Sequence, residues 1–374
     1  MRIRRTVIAA VGLGLALTLA ACGQNAAAPQ APASEAPAAG GGNIKVGVIL
    51  PETESSARWE GFDKPLLTEA MAAKGLDADI QNAQGDETKF STLADGMIAS
   101  GVKVLVIASI TSESGAAVAA KAQAQGIPVI DYDRLNLGGT SEYYVSFDNT
   151  KVGELQGQGL VQGVGNKPGA QIIEIEGAPT DNNATLFHAG QQIVLGPKYQ
   201  SGEYVLVQSQ PIEKWDNQIG GTTFEQILTG NGGRVDGVVA ANDGLAGAII
   251  TVLTKYGLNG QVPVTGQDAT PDGLQAILRG DQFMTVYKPI KQEAEATAEL
   301  AAALAKGDTA AADKLASGTT KDTKGNRDVK SVLLTPQSIT KDNVKTVIDE
   351  GQVKASEVCV SAVSDACKQA GIAA

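Results

Sequence analysis

Short β-branched runs alternate with segments of helical period from Ile44 almost to the C-terminus, and nothing else in the chain restricts its fold as strongly. Ile44–Leu50 (IKVGVIL) reads as a buried strand. Residues 59–74 then carry apolar positions at helical spacing, with Gly75 as the helix stop. The pattern repeats with strands over 77–81, 102–108 and 127–130 and helices over 88–99 and 113–125. It starts again at Tyr143–Phe147 and adds strands over 171–175, 204–208, 235–240, 262–266 and 283–286, with helices between them. Alternation of this kind belongs to α/β folds with parallel sheets covered by helices, and two successive blocks of it predict two similar lobes. The glycine-, threonine- and lysine-rich stretch 307–330 reads as a loop, followed by a late strand at 332–334 and a short helix over 343–350.

The N-terminus is a processing signal. Arg2, Arg4 and Arg5 precede an apolar run from Val7 to Leu19, too short for a membrane span. The run stops at Leu19-Ala20-Ala21-Cys22, which resembles a bacterial lipobox and implies cleavage after residue 21 with lipidation of Cys22; ordinary cleavage nearby is the alternative. Residues 22–43, rich in Ala, Pro and Gly, read as a flexible tether. Loss of three leader arginines takes the formal charge from −11 to about −14. So acidic a body is not suited to nucleic acid, whose phosphates need a basic surface. Nor would its charge draw it to anionic lipid, which leaves membrane attachment to the acyl chain. Cys359 and Cys367 are the cysteines left after Cys22; export to an oxidising compartment favours a disulfide over two free thiols.

Polar clusters follow the predicted strands, where open α/β sheets hold ligands. They are Arg58-Trp59, Asp131 to Arg134, Thr180 to Asn183, Asn242-Asp243 and Gln267-Asp268, with Lys288 and Trp215 nearby. Each has a plain structural reading: a solvated helix start, a salt bridge, or Asp and Asn as helix caps. Together they describe a cavity rich in carboxylates, amides and guanidinium groups beside indole faces, suited to a small neutral polyol and repellent to an anion. Catalytic chemistry is poorly supported. His188 is the sole histidine and reads as structural or surface; there is no zinc-type ligand spacing, nucleophile elbow, Walker motif or dinucleotide fingerprint. A pair such as Asp243 and Asp268 could mimic glycosidase carboxylates only at a separation the sequence does not give.

Arg58-Trp59, Tyr132-Asp133-Arg134, SFDNTKVGELQ over 146–156, Asp181-Asn182-Asn183, Ala241-Asn242-Asp243, Gly266-Gln267-Asp268-Ala269 and MTVYKP over 284–289 occur in this order. The series resembles the sugar-binding proteins of ABC importers, the ribose and galactose group, and within it the xylose-binding branch. The resemblance spans residue 44 to about 350. It implies a two-lobed periplasmic binding protein type I fold with three interlobe crossings, expected after Tyr132, near Gln267 and near Leu333 to Pro336. The lobes are then 44–133 with 268–331, and 134–267 with 332–374. It further implies a non-enzymatic monomer without cofactor or metal, which takes a monosaccharide, D-xylose favoured, to an ABC permease. Glucose, galactose or arabinose, or a role in sugar sensing, are the alternatives. The implied ligand contacts are Arg58, Trp59, Asp133, Arg134, Asn182, Asn183, Trp215, Asn242, Asp243, Asp268 and Lys288.

Overall fold

The computed structural model describes residues 44–53 and 56–373; the leader, Cys22 and the expected tether lie outside the described residues. The first lobe runs β1 (Ile44–Leu50), α1 (Lys64–Ala73), β2 (Leu76–Asn82), α2 (Glu87–Ala99), β3 (Val104–Ile107), α3 (Ser112–Gln123), β4 (Val129–Tyr132) and β5 (Tyr143–Phe147). β1 pairs in parallel with β2 and β3, β3 with β4, and β4 with β5. The central strands β3 and β4 are buried throughout because helices cover both faces, whereas the edge strand β2 (LDADIQN) alternates. Asp86 and Thr111 cap α2 and α3 by accepting backbone N–H groups of the first turn.

The second lobe follows as α4 (Asn149–Val164), β6 (Ala170–Glu176), α5 (Asn182–Gln200), β7 (Tyr204–Pro211), α6 (Asn217–Gly230), β8 (Gly237–Ala240), α7 (Asp243–Lys255), α8 (Pro271–Arg279) and β9 (Met284–Tyr287). The chain then returns to the first lobe as α9 (Ile290–Ala305), β10 (Gly318–Asp322) and β11 (Arg327–Leu334), and ends in the second as β12 (Gln337–Thr340) and short helices. β6 is flanked by β7 and β8, while β9 pairs antiparallel with β12. The first-lobe sheet is completed as β10-β11-β5-β4-β3-β1-β2. Each lobe has its own apolar core. Val46, Leu50, Val104 and Ile130 pack with Ala294, Ala298 and Ala301 of α9 in one, and Ile173, Val238, Ile249 and Phe224 pack with Met284 and Val286 in the other.

Pairing moves two expected boundaries. The chain does not leave the first lobe after Tyr132, because β5 lies beside β4 with Ile130 opposite Tyr143. The polar segment between them is a return loop. Buried Asp131 accepts from the backbone and side-chain amides of Asn136 and from the Ser141 hydroxyl, which folds the loop back on its strand. The first crossing is therefore at Asp148, between β5 and α4. The second is not at Gln267. Val264 bridges Val238, and the N–H groups of Phe283, Val286 and Asp268 bond to Val264, Gly266 and Val286, so 264–287 belong to the second lobe. The crossing is at Lys288-Pro289, before α9 joins the first core. The third runs through Thr335-Pro336, between β11 and β12.

Two smaller expectations also change. Residues 307–330 hold a helix (Thr309–Leu315) and the β10–β11 hairpin instead of a loop. The edge strand β10 (GTTKD) has no apolar stripe to signal it, and polar residues suit an edge. Residues 262–266 form an isolated bridge from Val264 to Val238, with backbone bonds to β8 and to 283–286, in place of a full strand. Cys359 and Cys367 form a disulfide in the C-terminal segment.

Close backbone approach fixes how α4 meets α5. A Cβ at Gly190 would stand 2.0 Å from the Thr150 carbonyl oxygen, and one at Gly153 would stand 1.9 Å from that of Phe187. Neither carbonyl can rotate away within its helix. Gly190→Ala is expected to lower the unfolding free energy by about 1–3 kcal/mol, measured by urea denaturation against Gly196→Ala, where a Cβ meets nothing closer than 3.8 Å.

Candidate functional site

Between the lobes lies a tight cavity whose walls stand close together, leaving about 30 Å³ open to the centre of a water-sized sphere. The first lobe contributes Ser56, Arg58 and Trp59 after β1, and Asp133 and Arg134 after β4. The second contributes Asp181, Asn183 and Phe187 from the start of α5, Trp215 from the loop after β7, Asn242 after β8, and Gln267 and Asp268 after residue 266. Lys288 enters from the second crossing.

The guanidinium of Arg58 is 98% buried and shared among three carboxylates. Its Nη2 lies 2.6 Å from Asp63 and 3.0 Å from Glu293, and its Nη1 lies 2.6 Å from Asp133. Tyr132 donates its hydroxyl to Asp63 at 2.7 Å. Burial alone would raise the Asp133 carboxyl, but Arg58, Lys288 and Arg134 outweigh it and hold it well below the usual carboxylate range. Burial, with the charge of Asp133 next, pushes the Glu293 carboxyl well above its ordinary value.

Several bonds span the lobes. Asn183 donates to the Asp133 carbonyl at 2.8 Å and to its carboxylate at 3.2 Å. Arg134 Nε is 3.0 Å from Asp181, whose same oxygen accepts from the Trp215 indole at 3.1 Å. Ser56 donates to Asp268 at 2.9 Å, and Lys288 lies 3.3 Å from Asp133 and 3.4 Å from Asp268. Both Arg58 and Arg134 sit over the ring of Trp59, at 4.5 and 5.1 Å. Trp215 meets Phe187 edge to face at 6.3 Å. Asp133, Trp215 and Asp268 have positive φ (60°, 58° and 97°), a conformation costly for non-glycine residues and frequent where a side chain must be aimed.

Nine of the eleven predicted contacts thus line one cavity: Arg58, Trp59, Asp133, Arg134, Asn183, Trp215, Asn242, Asp268 and Lys288. Asn182 and Asp243 do not. Asn182 opens α5 and is half-buried beside a separate shallow cleft. Asp243 is buried behind the site as a brace. Its carboxylate accepts from the Thr270 N–H and hydroxyl, the Gln282 amide and the Thr285 hydroxyl, joining α7, α8 and β9. The cavity also takes Asp181 and Gln267, from clusters already singled out, and Phe187, one helical turn after Asn183 and so on the same face. Ser56 lies in a polar turn with no signal of its own.

The chain belongs to the periplasmic binding protein family: residues 46–309 match the periplasmic binding protein domain model. This is a family of solute receptors, not of enzymes. The chain is 38% identical over 316 residues to the D-xylose-binding periplasmic protein of Escherichia coli, covering 84% of this chain and 92% of that one. It is 35% identical to the multiple sugar-binding periplasmic receptor of Rhizobium radiobacter, covering 84% and 92%. Among solved structures, a carbohydrate transporter solute-binding protein from Chloroflexus aurantiacus in complex with D-glucose superposes with a TM-score of 0.76 at 30% identity, covering 83% and 97%.

Burial pushes the Asp243 carboxyl up to about 7, against the four hydrogen bonds that stabilise its charge. The folded protein therefore binds this proton more tightly than the unfolded chain. The group's contribution to stability is present below about pH 4 and is lost as pH rises through 7. In denaturation at pH 5 and pH 8, the fall in stability of the native protein should exceed that of Asp243→Asn, which has no proton to lose.

Proposed function

We propose that this protein captures a single monosaccharide, D-xylose favoured, by closure of its lobes and delivers it to an ABC permease. The observation that carries the reading is the cavity itself. It is small, shared by both lobes, and walled by fixed donors and acceptors next to indole and phenyl faces. Sugar hydroxyls lose water on closure and each needs a partner, which Asp133, Asp268, Asn183, Asn242, Arg134 and Lys288 provide. Trp59, Trp215 and Phe187 offer apolar faces to the C–H side of the ring. The kinship with D-xylose-binding proteins supports the choice of pentose. D-Glucose is the second reading, supported by the glucose complexes of two similar structures.

Ligand stabilises the closed arrangement because only there do both lobes reach it. The leader and its Leu19-Ala20-Ala21-Cys22 end support tethering of the receptor, read as a monomer, at the outer face of the cell membrane through lipidated Cys22. That anchor would keep an acidic receptor beside its permease without electrostatic help.

The two tryptophans of the chain both line the cavity, so intrinsic fluorescence reports binding directly. Titration of residues 44–374 is expected to give a Kd for D-xylose of about 1 μM or tighter, with no sugar turnover. A response to D-glucose and none to D-xylose would replace the pentose reading. Asp268→Asn removes a charged acceptor and should weaken the bound sugar by about 10- to 100-fold, the cost of one charge-assisted hydrogen bond.

A further inference from the structure

A second cluster of ligand-type atoms lies in the second lobe, outside the sugar cavity. Glu174 and Glu176 alternate on β6 and so project to the same side of the sheet, against His188 on α5. Both carboxylates are buried, whereas the His188 side chain is 42% exposed and leaves a route from solvent. His188 Nδ1 lies 3.4 Å from Glu176 Oε1 and 3.9 Å from Glu174 Oε2. All three ligand atoms fall within 4.8 Å of one another.

The hydrogen-bond pattern around these groups is one-sided. Glu174 Oε1 accepts from Gln192 at 3.0 Å and from the Tyr199 hydroxyl at 2.8 Å, which fixes the carboxylate. Its other oxygen, Oε2, is fully buried, has no hydrogen-bond donor among the described residues, and points towards His188. Glu176 Oε2 accepts from Gln191 at 3.3 Å, which leaves Oε1 aimed at the same place. A buried, undonated carboxylate oxygen is costly. A cation placed between it, Glu176 Oε1 and the imidazole would satisfy it.

We propose that Glu174, Glu176 and His188 form a binding site for one first-row divalent cation of the Zn²⁺ type. One imidazole and two carboxylates are borderline ligands that suit such an ion better than Ca²⁺, which prefers six or more oxygens. Ligand atoms around a tetrahedral ion with bonds of about 2.0–2.2 Å stand roughly 3.4 Å apart. The Glu176–His188 distance already equals that spacing, and the Glu174–His188 distance needs only a small side-chain adjustment. Water from the exposed side of His188 completes the coordination. Gln192, Tyr199 and Gln191 act as outer partners that hold the carboxylates in register.

The test is calorimetric titration of the metal-free protein with ZnCl₂, repeated with CoCl₂ while the visible d–d bands are recorded. One equivalent should bind, and Co²⁺ should give tetrahedral-type absorption. His188→Ala and Glu174→Gln should each abolish the one-site isotherm, and Tyr199→Phe should weaken it about 10-fold. D-Xylose titration of each variant shows whether it is folded, since none of these residues lines the sugar cavity. Absence of a one-site isotherm in the native protein, or its persistence in His188→Ala and Glu174→Gln variants that still bind sugar, overturns the proposal. Failure of sugar binding in the native protein would instead count against the monosaccharide reading and leaves the metal titration to be judged alone.

Discussion

The buried guanidinium of Arg58 is the contact on which the rest of the site depends. It joins the segment after β1 to the end of β4 through Asp133, and both to α9 through Glu293. These three pieces are distant in sequence, and α9 belongs to chain that has already visited the other lobe. A desolvated cation among several carboxylates is stable only when its partners are all in position. Truncating any one of them would leave a buried charge uncompensated. The network consequently holds Asp133 in its left-handed backbone conformation, and Asp133 presents one carbonyl to Asn183, Tyr144 and Ser146 together.

The same arrangement selects the chemistry of what can enter. Arg58, Arg134 and Lys288 face Asp63, Asp133, Asp181, Asp268 and Glu293, so five carboxyl groups stand against three cations. An anionic guest would meet this excess among buried groups, where repulsion is poorly screened. A neutral ligand with many hydroxyls exchanges its water for groups that are already oriented. Little of the polar wall must reorganise, because most of its donors and acceptors already bond to one another.

Much of this was legible in the chain because it is written locally. Strand-to-helix alternation gives the α/β class, and clusters such as Asp133-Arg134 or Gln267-Asp268 mark strand ends. What escaped depends on partners far away in sequence. Asn242-Asp243 reads as one polar pair, yet the chain turns into α7 between them, so Asn242 faces the cavity and Asp243 braces the layer behind it. The resemblance implies a crossing near Gln267, but backbone bonds from 263–268 to β8 and β9 keep that segment in the second lobe and move the crossing to Lys288. Glu293 carries no local signal at all; only the approach of α9 to Arg58 gives it a role, whereas Asp63 stands one short helical segment after Arg58. Phe187 could have been found by asking which residue shares a helix face with Asn183.

The positions of the crossings carry a mechanical consequence. Leu334 pairs with Phe147 at the first and third crossings, and Gln337 pairs with Tyr287 at the third and second. The three connections therefore lie side by side, stitched by backbone hydrogen bonds into a narrow ribbon. A ribbon resists shear in its plane and lengthwise stretching but bends easily across its thickness. Lobe motion then has one soft coordinate, so the two halves of the cavity wall return to the same registry each time they meet. Lys288 stands on the ribbon itself, and its ammonium reaches both Asp133 and Asp268. The charge network of the site is thus tied to the crossing itself.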